Sequence, residues 1–183
     1  MKKHTFEEVE ARIAECPNFW WSQIVSERKK SPASEEEIQE AEKALGLHFP
    51  PDYRTFLKKF GVLQFFYTYS NEIYGIVHYE YFKLAMGVVP VTLECREYSL
   101  PHQYIAIYSD EGDEYWCIDT SDPNESVIAW DFFERCVARK IADSFMDVLY
   151  QFAANERRVK RDENGHLLNE KNTQYEEIHE IND

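Results

Sequence analysis

The amino-acid sequence predicts an α+β domain, and three observations carry that expectation. Apolar residues recur at helical spacing near both ends of the chain. The middle, from 62 to about 130, is instead a series of β-branched and aromatic runs. The length of 183 residues suits one domain with short appendages. Hydrophobic residues make up 44% and aromatics 15% of the chain, so a core can form without disulfides or metals.

The N-terminal segment, roughly 5–30, reads as helical: Phe6, Val9 and Ile13 recur at spacings of three and four. Phe19, Trp20, Trp21, Ile24 and Val25 could dock a further piece, with Pro17 separating the two. At 34–46 the signals are local and mutually consistent. Ser34 followed by Glu37 forms a capping box, Ile38, Ala41 and Leu45 share a face, and Gly46 can end the helix left-handed. Pro50-Pro51 opens the next helix, whose Tyr53, Phe56, Leu57 and Phe60 follow the i, i+3, i+4, i+7 rule up to Gly61.

Six runs then read as strands: 62–69, 72–79, 91–98, 104–109, 114–120 and 126–130. The best hairpin joins 104–109 to 114–119 through Asp110-Glu111-Gly112-Asp113, and Asp122-Pro123-Asn124 marks the next turn. Residues 79–87 read alternatively as a short helix. At 143–155 the helical period returns, with Ser144 three before Asp147 as a cap and Phe145, Val148, Leu149 and Phe152 as an apolar stripe. Beyond Asn155 the chain is polar, with Asn164-Gly165 as a candidate turn. The division that follows is a helical extension at 1–30, a central domain at 31–155 and a polar appendage at 156–183.

Charge narrows the function classes. The formal net charge is −14, and residues 31–155, with nine bases and 21 acids, carry −12 of it. Phosphate repels such a chain, which disfavours direct binding of nucleic acid or of an anionic membrane and suits a basic protein partner. The start turns acidic where a signal peptide needs an apolar stretch, and no run reaches the roughly 18 apolar residues of a membrane span. Cys16, Cys95, Cys117 and Cys136 are scattered singly and read as reduced core residues. The expectation is a cytoplasmic protein.

Catalytic and cofactor signals are absent. The histidines at 4, 48, 78, 102, 166 and 179 show neither HExxH nor HxxxH spacing, so a helix-borne zinc site has no support. With six glycines there is no GxGxxG, GxxxxGK or GxSxG, which leaves no phosphate cradle and no nucleophile elbow. The expectation is a non-enzyme with no cofactor and no metal. The candidate site is a partner-binding edge: Asp110, Glu111, Asp113 and Glu114 form an anionic prong, and Tyr115 and Trp116 are candidate anchors. As a calcium loop the prong fails, because its acids do not alternate and no distal Glu follows at the required position. Asp119, Asp122 and Glu125 would extend the edge if they fold nearby. A second candidate surface is the aromatic run Phe65-Phe66-Tyr67-Thr68-Tyr69 with Tyr74, Tyr79 and Tyr81, of which alternation leaves one set outward.

The order of these features resembles the SUKH superfamily, which includes fungal cell-wall assembly regulators and bacterial toxin-immunity proteins. The resemblance rests on Ser34-xx-Glu37-Ile38 through Leu45-Gly46, Phe49-Pro50-xx-Tyr53-xx-Phe56-Leu57 and Phe60-Gly61. It continues through Tyr104-Ile105-Ala106-Ile107, Asp110, Gly112 and Tyr115-xx-Ile118-Asp119 to Val127-Ile128-x-Trp130-Asp131 and Ala142-x-Ser144-Phe145-xxx-Leu149. It covers about 34–152 and implies a mixed or mostly antiparallel sheet of about five to six strands, packed by N- and C-terminal helices. It also implies no catalytic residues and a protein partner: a cognate toxin, basic and nuclease-like, neutralised by binding. The alternative is an intracellular scaffold or regulatory module of the cell-wall regulator type. The segments before 31 and after 155 depart from a minimal member of the superfamily.

Overall fold

The structure is a computed structural model that describes residues 4–14, 32–61, 63–65, 71–73, 79–81, 84–110 and 113–156. Helix α1 (Phe6–Ala14) opens the chain, followed by α2 (Glu35–Leu45) and α3 (Pro51–Lys59). The two expected helices after residue 34 form for the expected reasons. The Ser34 hydroxyl accepts the Glu37 amide at 3.2 Å, and the Glu37 carboxylate accepts the Ser34 amide at 2.9 Å, satisfying two of the helix's orphan donors. Gly46 ends α2 at φ +69°, and a Cβ there would meet the His102 ring at 3.4 Å. The left-handed conformation, rather than lack of space, is what favours glycine there. Pro51 starts α3, where its missing N–H costs nothing.

The N-terminus of α3 is completed from far away in sequence. The Glu125 carboxylate accepts the amides of Asp52 at 2.8 Å and Tyr53 at 3.3 Å, and Glu125 is 2% exposed. A negative group at the positive end of a helix is favourable, more so when partly buried. Glu125 therefore belongs to the interior, which corrects the expectation that it extends an acidic edge. Between α2 and α3 the Arg54 guanidinium bonds both Glu35 and Glu42, and Glu42 also accepts the Phe49 amide at 2.7 Å.

Four short strands follow in two separate antiparallel ladders: β1 (Leu63–Phe65) with β2 (Asn71–Ile73), and β3 (Tyr79–Tyr81) with β4 (Leu84–Met86). Within 79–87, the described residues 79–81 and 84–86 thus pair as a ladder rather than forming the short helix considered from sequence. The segment 91–98, read as a strand, lies in helix α4 (Val88–Glu97). Its buried residues, Val88, Val91, Thr92 and Cys95, follow the helical rule once counting starts at Val88, and Pro90 sits harmlessly in the first turn. The β-branched content misled because burial, not propensity, decides at such positions.

The main sheet holds β5 (Tyr104–Asp110), β6 (Glu114–Asp119), β7 (Val127–Asp131) and β8 (Cys136–Ala142) in that order, all antiparallel. The expected hairpin of 104–109 with 114–119 forms, with a bulge between Ala106 and Tyr108. The α+β class holds. Among the described residues the main sheet has four strands, so the expected five to six are not confirmed, and the sequence reading does not include β8. Residues Cys136–Lys140 of β8 are exposed, so they carry no buried alternation to detect. The exposure of Cys136 also corrects its reading as a core residue, whereas Cys95 and Cys117 are buried.

Helices cover both faces of the sheet. Thr92 of α4 accepts the Ala106 amide at 2.9 Å at the edge of the sheet, and Cys95 of α4 lies near Tyr115 and Cys117, so α4 lies on the face those residues point to. On the other, Trp116 packs against Phe152 of α5 (Phe145–Glu156) with ring centroids 5.6 Å apart. Phe145 meets Tyr53 and Phe56 of α3 edge to face at 5.3 and 5.4 Å. Helix α1 buries Val9 and Ile13 and lies along α5, where Arg12 donates to the Tyr150 hydroxyl at 2.7 Å. Cys16, the aromatic residues 19–21, and the tail from 157 lie outside the described residues.

Candidate functional site

The strand that follows the acidic turn places its residues on alternating sides of the sheet, and this splits the expected site. The Asp110 backbone pairs with Glu114 at the end of the hairpin; Glu111 lies outside the described residues, and Asp110 is placed by its backbone alone. Asp113 is exposed, and its carbonyl accepts the Phe132 amide at 3.1 Å. Glu114 reaches across the sheet to Arg139 at 2.6 Å, so its charge is already partnered. Tyr115 is half-buried, and burial pushes its phenol up to about 12, helped by the nearby Cys95 and Glu94. Trp116 is 5% exposed and wedged between Tyr108 and Phe152. It belongs to the core, which corrects its expected role as an anchor.

What gathers beside this turn is an aromatic row that the sequence reading did not select. Tyr98, just past the end of α4, lies 4.3 Å from Phe132, and Phe132 lies 5.9 Å from Phe133 at an interplanar angle of 89°. Tyr115 adds a fourth ring 5.7 Å from Phe132. Phe133 is 71% exposed and Tyr98 39%. These values set the patch apart, since large apolar side chains usually bury.

The β7–β8 turn that presents Phe133 is fixed by its own residues. The Asp131 carboxylate accepts the amides of Phe133 at 2.9 Å and Glu134 at 2.8 Å, and its carbonyl accepts the Arg135 amide at 2.9 Å. An aspartate that closes on amides two and three residues ahead is the usual chemistry of such a turn. Phe133 is therefore held outward by a braced turn. Four exposed carboxylates frame the row: Glu94 and Glu97 on α4, Asp113 on the hairpin and Glu134 on the turn. Among the described residues, none of these four has a cationic partner. The sequence did carry a signal, in Asp131-Phe132-Phe133-Glu134, where two large aromatics follow an Asx-turn residue. The other expected surface, Phe65 to Tyr81, lies outside the described residues except for the backbone of Phe65, Tyr79 and Tyr81.

One other constellation has the residue types of a catalytic relay. His4 Nδ1 lies 2.6 Å from Asp147, and the Ser144 hydroxyl donates to the same carboxylate at 2.7 Å. The serine faces the carboxylate rather than the imidazole, so the ring is not placed to take its proton as nucleophile activation needs. Ser144 also accepts the Asp147 amide, which makes it the cap of α5 with His4 strapped to it. Among the described residues no group of three or more His, Cys, Asp or Glu is placed to hold a metal, and no helix is long and apolar enough to cross a membrane.

Residues 32–151 match the SMI1 / KNR4 family (SUKH-1). The chain belongs to this family. No curated protein matches the chain. The SUKH match begins two residues before the Ser34 cap and ends within α5, so it contains the aromatic row and its carboxylates and leaves out α1. Membership supports a role in protein interaction or immunity, and SUKH proteins are generally non-catalytic.

Proposed function

We propose that this SUKH chain is a cytoplasmic immunity protein that binds a basic toxin domain, such as a nuclease, and blocks it by occlusion. The observation that carries the reading is the aromatic row of Tyr98, Phe132 and Phe133 with exposed carboxylates that have no cationic partner among the described residues. Interfaces draw most of their affinity from a few aromatic anchors at the centre, with a polar rim that excludes water. Carboxylates around such a centre speed encounter with a cationic surface and hinder polyanions from reaching it. The central domain's net −12 favours the same class of partner. Asp113, Glu114 and Tyr115 then form the flank of the contact surface, with Asp110 and Glu111 the partner-binding carboxylates that precede them in sequence, while α1 and the polar tail serve as appendages to the 31–155 domain.

The test is neutralisation. The tagged chain is used at low salt to capture its partner from source lysate, and the partner gene is then expressed in a host with and without this chain. Immunity requires one stoichiometric, growth-arresting partner whose toxicity the chain abolishes. Association should also slow as salt rises, because exposed charges are screened over about 10 Å at 0.1 M. Capture of several non-toxic housekeeping or signalling proteins would overturn the immunity reading in favour of the scaffold alternative.

A further inference from the structure

Resting on the reading of this face as a contact surface, we propose that its occupant is an arginine-presenting protein segment, with guanidinium groups laid on the Tyr98–Phe132–Phe133 row. The rings supply the first half of the recognition. A guanidinium is planar and weakly hydrated, so it stacks on an aromatic face while its edge N–H groups remain free to donate. The carboxylates supply the second half. Glu94 stands one helical turn before Tyr98, Glu97 adjoins it in sequence, and Glu134 follows Phe133 directly. Exposed carboxylates therefore adjoin both ends of the row in sequence, and charge-assisted bonds from a cation to such groups are the stronger ones.

Among the described residues, no ion pair joins a cation of the chain to the row's carboxylates, exposed Arg135 on the same turn included. Arg139 is held by Glu114, and Arg96 donates to the carbonyls of Leu45 at 2.7 Å and His102 at 2.8 Å. Elsewhere the molecule already uses the proposed contact: the Arg12 guanidinium lies 4.8 Å from the Tyr150 ring centroid while donating to a hydroxyl. Lysine fits less well, because an ammonium is a compact, strongly hydrated charge that gives up more water to sit on a ring. A flat apolar partner would bury the row yet leave the frame's carboxylates without compensation, which is costly.

The experiment titrates the full chain with capped hexa-arginine, hexalysine and hexacitrulline peptides at fixed ionic strength, following peptide anisotropy and the aromatic proton signals. Hexa-arginine should bind about two- to fivefold more tightly than hexalysine and move the Tyr98 and Phe133 signals, and hexacitrulline should not bind. In Tyr98→Ala/Phe133→Ser the arginine preference should vanish. In Glu94→Gln/Glu97→Gln/Glu134→Gln both cationic peptides should weaken and their salt dependence flatten. Phe133→Ser alone, at the most exposed ring, keeps the test valid should the double variant fold poorly. Equal affinity for the two cationic peptides, or an arginine preference that survives loss of the rings, overturns the proposal. Toxin neutralisation by the ring variants separates this from the preceding reading. Full neutralisation without the rings would remove the arginine seat and leave immunity standing, whereas an arginine preference in a chain that protects against no toxin would do the reverse.

Discussion

Tyr53, Phe56 and Phe145 meet edge to face at 5.3 and 5.4 Å and are sealed from water, whereas Tyr98, Phe132 and Phe133 meet at 4.3 and 5.9 Å with Phe133 71% exposed. Both sets are rings in contact with one another, and the setting is opposite. The buried trio joins α3 to α5, two elements some 90 residues apart in sequence, so the contact exists only when the chain is folded. The exposed row joins a helix end to a turn that Asp131 braces by itself. The comparison separates rings that hold the fold from rings that the fold holds up.

Substitution in the buried trio should have the largest effect. Phe145→Ala removes a ring that is fully buried, and the cavity adds to the lost transfer energy, for a cost of about 3–5 kcal/mol. Against a typical total of about 5–15 kcal/mol, that is enough to move the urea midpoint far to the left with little change in slope. A loss below about 1 kcal/mol would mean that the α3–α5 contact is not the keystone its burial suggests.

Legibility in the sequence follows the same division between local and distant causes. The Ser34–Glu37 box, the Gly46 stop and the β5–β6 hairpin were readable because each is settled within a few residues. Trp116 was misplaced because its neighbour Phe152 lies 36 positions on and no local pattern announces it. Glu125 looked like a surface acid because the amides it caps belong to α3, more than 70 residues earlier. The candidate site was sought where charge is densest, at 110–114, and the neighbouring Phe132-Phe133 fell between two expected elements. Density of charge marks a polar turn, while two large rings in a turn mark a surface that the fold does not need to cover.

Carboxylates show the same contrast as rings. The Lys58 ammonium, then Gln39 and Arg54, draw the Glu35 carboxyl down from 4.5 to about 2. Burial pushes Glu42 up, but Arg54 and the Phe49 amide outweigh it and leave it below the usual range. Groups held low in the folded state bind their protons only when the acid is strong, so they stabilise the fold above their unfolded value. That contribution is lost as pH falls from about 4.5 towards 2. Thermal stability should therefore drop across that window, and Glu42→Gln should reduce the steepness of the drop while lowering stability at neutral pH. An acid profile that stays equally steep in Glu42→Gln would overturn the role given to the partnered carboxylates.

The smallest expected change in stability is also the most diagnostic. Among the described residues, no carboxylate, amide or core residue depends on the Phe133 ring, and its backbone is held by Asp131 whatever side chain follows. Phe133→Ser should thus shift unfolding by no more than about 0.5 kcal/mol, the range of surface substitutions that touch no special feature. It gives up only the perpendicular contact with Phe132 at 5.9 Å, and it removes apolar surface that water already covers. A slightly higher unfolding temperature or better solubility would fit the same account, because a large exposed apolar group favours association. If Phe133→Ser instead cost as much as Phe145→Ala, the ring would be part of the core, and its exposure could no longer be read as a surface kept for a partner. Stability data alone decide this before any partner is in hand, since a residue that costs the fold nothing to lose has its reason outside the fold.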